Sequence, residues 1–358
     1  MGLFDCGVCL ARLQGVINFW EPSISYSLLK LVHKKYPPIM KQHNENQAPN
    51  CAFCGKPLSI PVLNNIYRNG VAWNISECAE CQIAMVHPFP SDSEINNLYS
   101  SENYRTGGGT RFNFFIERLI QFGNVVKRKH IEKYVKAGKI LDVGCGRGLF
   151  LNTMRRGGWD VVGSELNQET ASYARNVYGL KVYTGEVAEQ SFASESFNVI
   201  NICGVLEHLK EPNALLSETH KLLMSEGLLV ILVPDIRSFE FKFGKESWFH
   251  LDLPFHLFHF SEDGLVRLLR KKGFKLIKVK RFHLEYSPFG WLQTFLNFSN
   301  IRFNLFYNLL KSRNLKMGAG GGRLILMGLL RPCFCFQSTS HWLFYFPFWN
   351  LFFSGEAE

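Results

Sequence analysis

Two cysteine pairs, Cys51-x2-Cys54 and Cys78-x2-Cys81, stand twenty-three residues apart. Each CxxC turn aims two thiolates to one side, and two such knuckles supply the four soft ligands of a tetrahedral zinc site. Four protein ligands leave no open coordination position, so the expected zinc is structural. A second set of residues lies in LDVGCGRGLF, where Asp142 precedes Gly144, Gly146 and Gly148. Glycines between a strand and a helix let a ligand approach bare backbone. The dinucleotide fingerprint would need its third glycine at 149, which is Leu149. A carboxylate at Asp142 repels a pyrophosphate and attracts an ammonium group, so the turn suits a cationic ligand. Glu165 follows Gly144 by twenty-one residues, the place of an acid that accepts the hydroxyls of a ribose. The third set is WFHLDLPFHLFHFS, with His250, His256 and His259. A histidine near its ordinary pKa can take a proton from a hydroxyl at neutral pH. His256, and after it His259, are the candidate bases; packing beneath the loop is the alternative for both.

The elements that must position these residues alternate along the middle of the chain. Strands are expected at 139–145, 159–166, 181–185, 197–203, 227–234 and 274–282, with amphipathic helices between them. Gly157, Gly179, Gly227 and Gly273 stand where helix ends want a left-handed residue. Single-helix crossovers between short strands predict an α/β fold, a doubly wound and mostly parallel sheet. Five segments follow from this pattern: an N-terminal extension (1–48), a zinc-ribbon-like module (49–86), a linker (87–110), the α/β domain (111–285) and an aromatic, basic tail (286–358). Cys6-x2-Cys9 has no partner pair nearby, and Cys145 and Cys203 read as buried packing.

Over about 110–285 the ordered motifs resemble the S-adenosylmethionine-dependent methyltransferases with the seven-stranded Rossmann-like fold. LDVGCGRG is similar to their glycine-rich first motif, VVGSELN to the second, TGEVAEQSF to the third, and FNVINICGVLEHLKEP and EGLLVILVPD to the fourth and fifth strands. The resemblance implies S-adenosylmethionine as cofactor. Asp142 and the glycine turn would hold its methionine half, Glu165 its ribose, and Glu186 its adenine amine. Some quinone-type O-methyltransferases carry E-x-x-E-H in the fourth loop; here Gly204 replaces the first acid, leaving Glu207 and His208, and no metal is expected there. P-x-H-L-x-H-F segments and an N-terminal four-cysteine ribbon occur together in a subgroup acting on cell-surface glycans and small metabolites, which extends the resemblance back to about residue 50.

Composition narrows the partners. Hydrophobic residues at 46% with charged residues at 20% exclude wholesale disorder and leave enough apolar side chain for a core. Of a net charge of +10, six basic residues fall between Glu285 and Glu356, a stretch of seventy residues without a carboxylate. Its apolar runs, 324–330 and 342–353, are too short to span a bilayer. Their aromatics suit in-plane attachment to an anionic membrane surface, ahead of a short hairpin or packing onto the domain. The ribbon has few basic residues around it and no Asn/Asp-Pro-Pro-aromatic motif follows the fourth strand, so nucleic acid is the less favoured partner. Ten cysteines without a secretory signal point to the reducing cytoplasm, with peripheral membrane contact through the tail. The expected function is O-methylation of a small-molecule or glycan- or lipid-linked hydroxyl. A catalytically silent scaffold of the same fold is the rival reading.

Overall fold

Strings of β-branched and leucine residues, buried on both faces, build the central sheet, as a parallel sheet covered by helices requires. The computed structural model describes residues 49–68, 70–91, 93–95, 114–281, 287–299, 304–305, 307 and 348–355. Expectations for residues 1–48, the run Gly107–Gly109, residues 318–330 and Cys333 and Cys335 lie outside them. The chain divides into two units, Met1–Asn44 with Tyr67–Ala72, and Glu45–Ile66 with Trp73–Glu358. Of the first, only residues at a hairpin tip are described.

In chain order the described elements are β1 (Ile60–Arg68), β2 (Val71–Glu77), β3 (Ile83–His87), α1 (Phe114–Ile131), β4 (Lys139–Val143) and α2 (Leu149–Arg155). Then come β5 (Asp160–Glu165), α3 (Gln168–Tyr178), β6 (Lys181–Thr184), β7 (Phe197–Cys203), α4 (Pro212–Leu222) and β8 (Leu223–Pro234). The last are α5 (Phe239–Gly244), β9 (Phe258–Phe260), α6 (Glu262–Lys271), β10 (Phe274–Lys280), α7 (Ser287–Phe298) and β11 (Phe348–Gly355).

Seven strands form the main sheet in the order β10-β11-β8-β7-β4-β5-β6. β6, β5, β4, β7 and β8 are parallel neighbours, and β11 runs antiparallel between β8 and β10. The six expected strands are present within a few residues. Gly179 (φ 61°) and Gly273 (φ 83°) are left-handed as expected, whereas Gly158, not Gly157, takes that role after α2. Gly227 is no helix cap: α4 runs straight into β8, and Gly227 lies inside that strand.

The seventh strand comes from the tail. From Phe348 onward the second apolar run is β11, paired Phe352↔Val230 and Phe353↔Leu229 across β8, so this part of the tail packs onto the domain. Its physical reason is burial on both faces of the sheet: Phe352 joins the core beneath α1, α2 and α3 with Ile131, Leu151, Met154 and Val199, and its neighbour Phe353 is buried too. Among the described residues no helix is long and apolar enough to cross a membrane.

A second sheet, β1-β2-β3-β9, takes its last strand from the histidine segment. The cysteine-bearing segment is therefore not a separate bead. Arg237 grips Glu77 with two bonds of 2.6 and 2.8 Å, Ser261 Oγ donates to the Gln82 carbonyl at 2.7 Å, and Arg267 donates to the Glu80 carbonyl at 3.1 Å.

Candidate active site

β4 ends at Val143, and the chain must then turn sharply to enter α2. Gly144, Gly146 and Gly148 make that turn at φ 65°, 55° and 76°, a region that favours glycine. Side chains at Gly144 and Gly148 would overlap Val205 and Leu180, so these two glycines pack the turn. Gly146 differs: nothing lies within 4 Å of where its Cβ would stand, leaving bare backbone beside open space. Glu165, at the end of β5, accepts the N–H of Gly146 on one oxygen and that of Asn167 on the other, both at 2.9 Å. The carboxylate thus braces the glycine turn, and each oxygen keeps a second lone pair for a ligand hydroxyl.

Asp142 sits one strand over, buried, and accepts a 2.5 Å bond from the Asn201 amide on β7. Burial pushes its pKa up to about 6, with Glu165 adding to the rise, while Lys127 and the Asn201 bond hold it down. Sequence reading missed both Asn201 and Lys127. Glu186 is exposed, and its N–H is held by Glu189 Oε2 at 3.0 Å in the turn that follows β6. These residues sit on the carboxyl ends of β4 and β5 or just beyond β6, the rim where open α/β sheets bind ligands. The open backbone at Gly146 and the two acids fit a cationic, ribose-bearing cofactor.

The contact of Gly144 with Val205 joins this turn to the loop after β7, and Glu207 and His208 follow two and three residues on. There the structure brings His256 in. His256 Nδ1 faces the His250 carbonyl at 2.8 Å, and His208 Nδ1 faces the Phe255 carbonyl at 2.9 Å. A carbonyl only accepts, so each ring carries a proton on Nδ1. His256 Nε2 is 3.9 Å from Asp252. Ligand atoms of Glu207, His208 and His256 all lie within 4.8 Å of one another, close enough to hold a metal ion. His256 was expected from sequence as a base; its gathering with Glu207 and His208 was not.

His259 is placed elsewhere. It lies in β9 opposite Ala84, buried, and burial together with the nearby His256 pushes its pKa down to about 3. Such a ring holds a transferred proton poorly near neutrality. His250 is also buried, which depresses its pKa well below the ordinary value.

The four cysteines converge as their spacing demands, with all Sγ atoms within 4.8 Å and Cys54 Sγ 3.5 Å from Cys78 Sγ. Tetrahedral zinc with bonds of about 2.3 Å wants sulfurs about 3.8 Å apart. Backbone N–H groups of Phe53 and Cys81 point at Cys51 and Cys78 Sγ at 3.4 and 3.5 Å, and Gly55 closes the first knuckle at φ 73°. The donor set fits zinc.

Strand order, antiparallel insertion and glycine turn define the α/β Rossmann-like methyltransferase fold. Residues 115–279 match the family model described as "Methyltransferase domain". The central domain thus has the fold of the S-adenosylmethionine-dependent methyltransferases, and the matched residues make up just under half of the chain. Among curated proteins, the chain is 33% identical over 164 residues to a ubiquinone biosynthesis O-methyltransferase of Cereibacter sphaeroides, covering 43% of this chain and 66% of that one. The match thus spans just under two thirds of that relative. An uncharacterised protein of Methanocaldococcus jannaschii is 27% identical over 41% of this chain and 70% of its own. Among solved structures, an S-adenosylmethionine-dependent methyltransferase from Archaeoglobus fulgidus aligns with a TM-score of 0.43 at 18% identity, over 66% of this chain and 94% of that one.

Proposed function

We propose that the protein transfers a methyl group from S-adenosylmethionine to a hydroxyl of a small-molecule or glycan- or lipid-linked acceptor. The observation that carries this reading is the gathering of His256 with Glu207 and His208 beside the loop that packs on the glycine turn, with His256 Nδ1 committed to a backbone carbonyl. When bound, the cofactor supplies a sulfonium methyl open to direct displacement. Asp142 offers the negative charge for its ammonium group, Glu165 the acceptors for its ribose hydroxyls, and Glu186 an acid for the adenine amine. His256 Nε2 takes the hydroxyl proton as the acceptor oxygen gains the methyl, and Glu207 steadies the resulting imidazolium. Zinc on Cys51, Cys54, Cys78 and Cys81 fixes the ribbon and hence the β3–β9 pairing behind this segment. The O-methyltransferase name of the Cereibacter relative supports the choice of oxygen.

A second reading rests on the same cluster: a divalent cation on Glu207, His208 and His256 would polarise the acceptor hydroxyl instead. The experiment measures transfer of labelled methyl to quinol, glycan and lipid acceptors by wild type and His256→Ala, with and without added magnesium or zinc. Transfer to a hydroxyl that His256→Ala loses, without metal dependence, supports the base; dependence on added metal favours the second reading. Cofactor binding without transfer to any acceptor would leave the scaffold reading in the lead.

A further inference from the structure

Helix α7 is inside out. Ser287, Gly290, Gln293, Thr294 and Asn297 recur at helical spacing and are buried, with Leu296 the one large apolar side chain buried among them. Phe295 and Phe298 point outward, 55% and 53% exposed. A surface helix of a water-soluble domain puts its apolar stripe inward, so this polarity calls for an apolar surrounding outside.

The buried polar face is fully engaged, which shows that the orientation is built and not a slip of register. Thr294 Oγ1 donates to Glu240 Oε1 at 2.5 Å and accepts the Phe249 N–H at 2.9 Å. Gln293 donates to Asn297 at 2.8 Å, and Asn297 donates to the Ser247 carbonyl at 3.2 Å. A Cβ at Gly290 would collide with His250, so no side chain fits on that face there. The outward rings continue onto α5, where Phe239 is 55% exposed, Trp291 lies 6.2 Å from it, and Phe243 lies 4.8 Å from Phe298.

The geometry points to a lipid bilayer surface with anionic headgroups as the occupant of this face, with α7 lying in its plane. Charge decides for lipid over a protein groove. α7 has no ionisable side chain, exposed Lys242 and Lys245 lie in and just after α5, and the seventy residues from 286 to 355 hold six basic residues and no acid. Phenylalanine and tryptophan at headgroup depth with lysines beside them form an interfacial arrangement. Twelve residues span about 18 Å, too short to cross the hydrocarbon core. On the reverse of this face lie Glu240 and His250, so docking would bring the interior near the acceptor segment close to molecules dissolved in the membrane.

The full chain is tested by co-sedimentation with vesicles of phosphatidylcholine alone and with phosphatidylglycerol added, beside the double variant Phe295→Ser/Phe298→Ser. Removing two inserted rings should weaken binding to the anionic vesicles by about tenfold or more, while affinity for S-adenosylhomocysteine stays at the wild-type value. Wild-type binding should fall in high salt and without the anionic lipid. Equal binding by both proteins, or none by the wild type, overturns the proposal. So does a wild-type dimer that the variant turns into a monomer, which would make the face a protein interface.

Discussion

His256 and His208 meet edge to face, 4.5 Å between ring centroids, each with Nδ1 turned to a backbone carbonyl contributed by the same segment, 250–255. Two rings anchored in this way cannot flip without losing a buried bond, so their orientation beside Glu207 is fixed. His256→Ala should lower kcat by about 10²- to 10⁴-fold with S-adenosylhomocysteine affinity unchanged, whereas His259→Ala should leave the pH–rate profile in place. Calorimetric titration beside single-turnover assays checks both halves, and a shifted pH profile in His259→Ala would reverse the assignment.

Asp142 makes cofactor binding depend on pH. With its carboxyl at about 6, protonation below that value removes the charge offered to an ammonium group, and affinity should fall by up to about tenfold per pH unit under pH 6. The free protein responds oppositely. A carboxyl raised from 3.8 to about 6 favours folding while protonated, below pH 3.8, and loses on the order of 3 kcal/mol as pH rises through 6. Asp142→Asn should flatten both dependences, as read by calorimetry and by denaturant titration across pH 4–8.

Glu165 has two duties, and they can be separated. Glu165→Gln keeps an acceptor for one of the two backbone N–H groups but loses the charge, and should weaken S-adenosylhomocysteine binding by about tenfold, some 1.4 kcal/mol. Glu165→Ala frees both N–H groups of the turn and should weaken binding further and lower Tm. Unchanged affinity in a folded Glu165→Ala would remove the ribose contact.

The ribbon should carry one equivalent of zinc. Cys78→Ser, or a strong chelator, should remove it and lower Tm, because the β3–β9 pairing and the Arg237–Glu77 bonds transmit the loss into the α/β domain. Elemental analysis and thermal unfolding of the same preparations test this; a metal-free wild type of equal Tm would refute it.

Much of this fold is written in local pattern. The glycine turn, Glu165 and the cysteine spacing were legible because each is dictated within a few residues. β11 was not: WLFYFPFWNLFF is apolar at every position but Asn350, and a run with so little alternation does not separate a strand buried on both faces from a lipid-facing one. Nor was the gathering of Glu207, His208 and His256, which are forty-nine residues apart at most and meet only through the return of 250–256 over the β7 loop. The inverted helix α7 was hidden for a related reason, since burial of Thr294 and Asn297 depends on Glu240 in α5 and Ser247 beyond it.

The position of β11 has a consequence for how the chain matures. Its strand inserts between β8 and β10, after forty-nine intervening residues from Phe298 to Phe348. Until it arrives, a nascent chain carries two open ladders with all the parallel strands already made, a sticky interval in which a chaperone, or an early encounter with lipid through α7, would shield it.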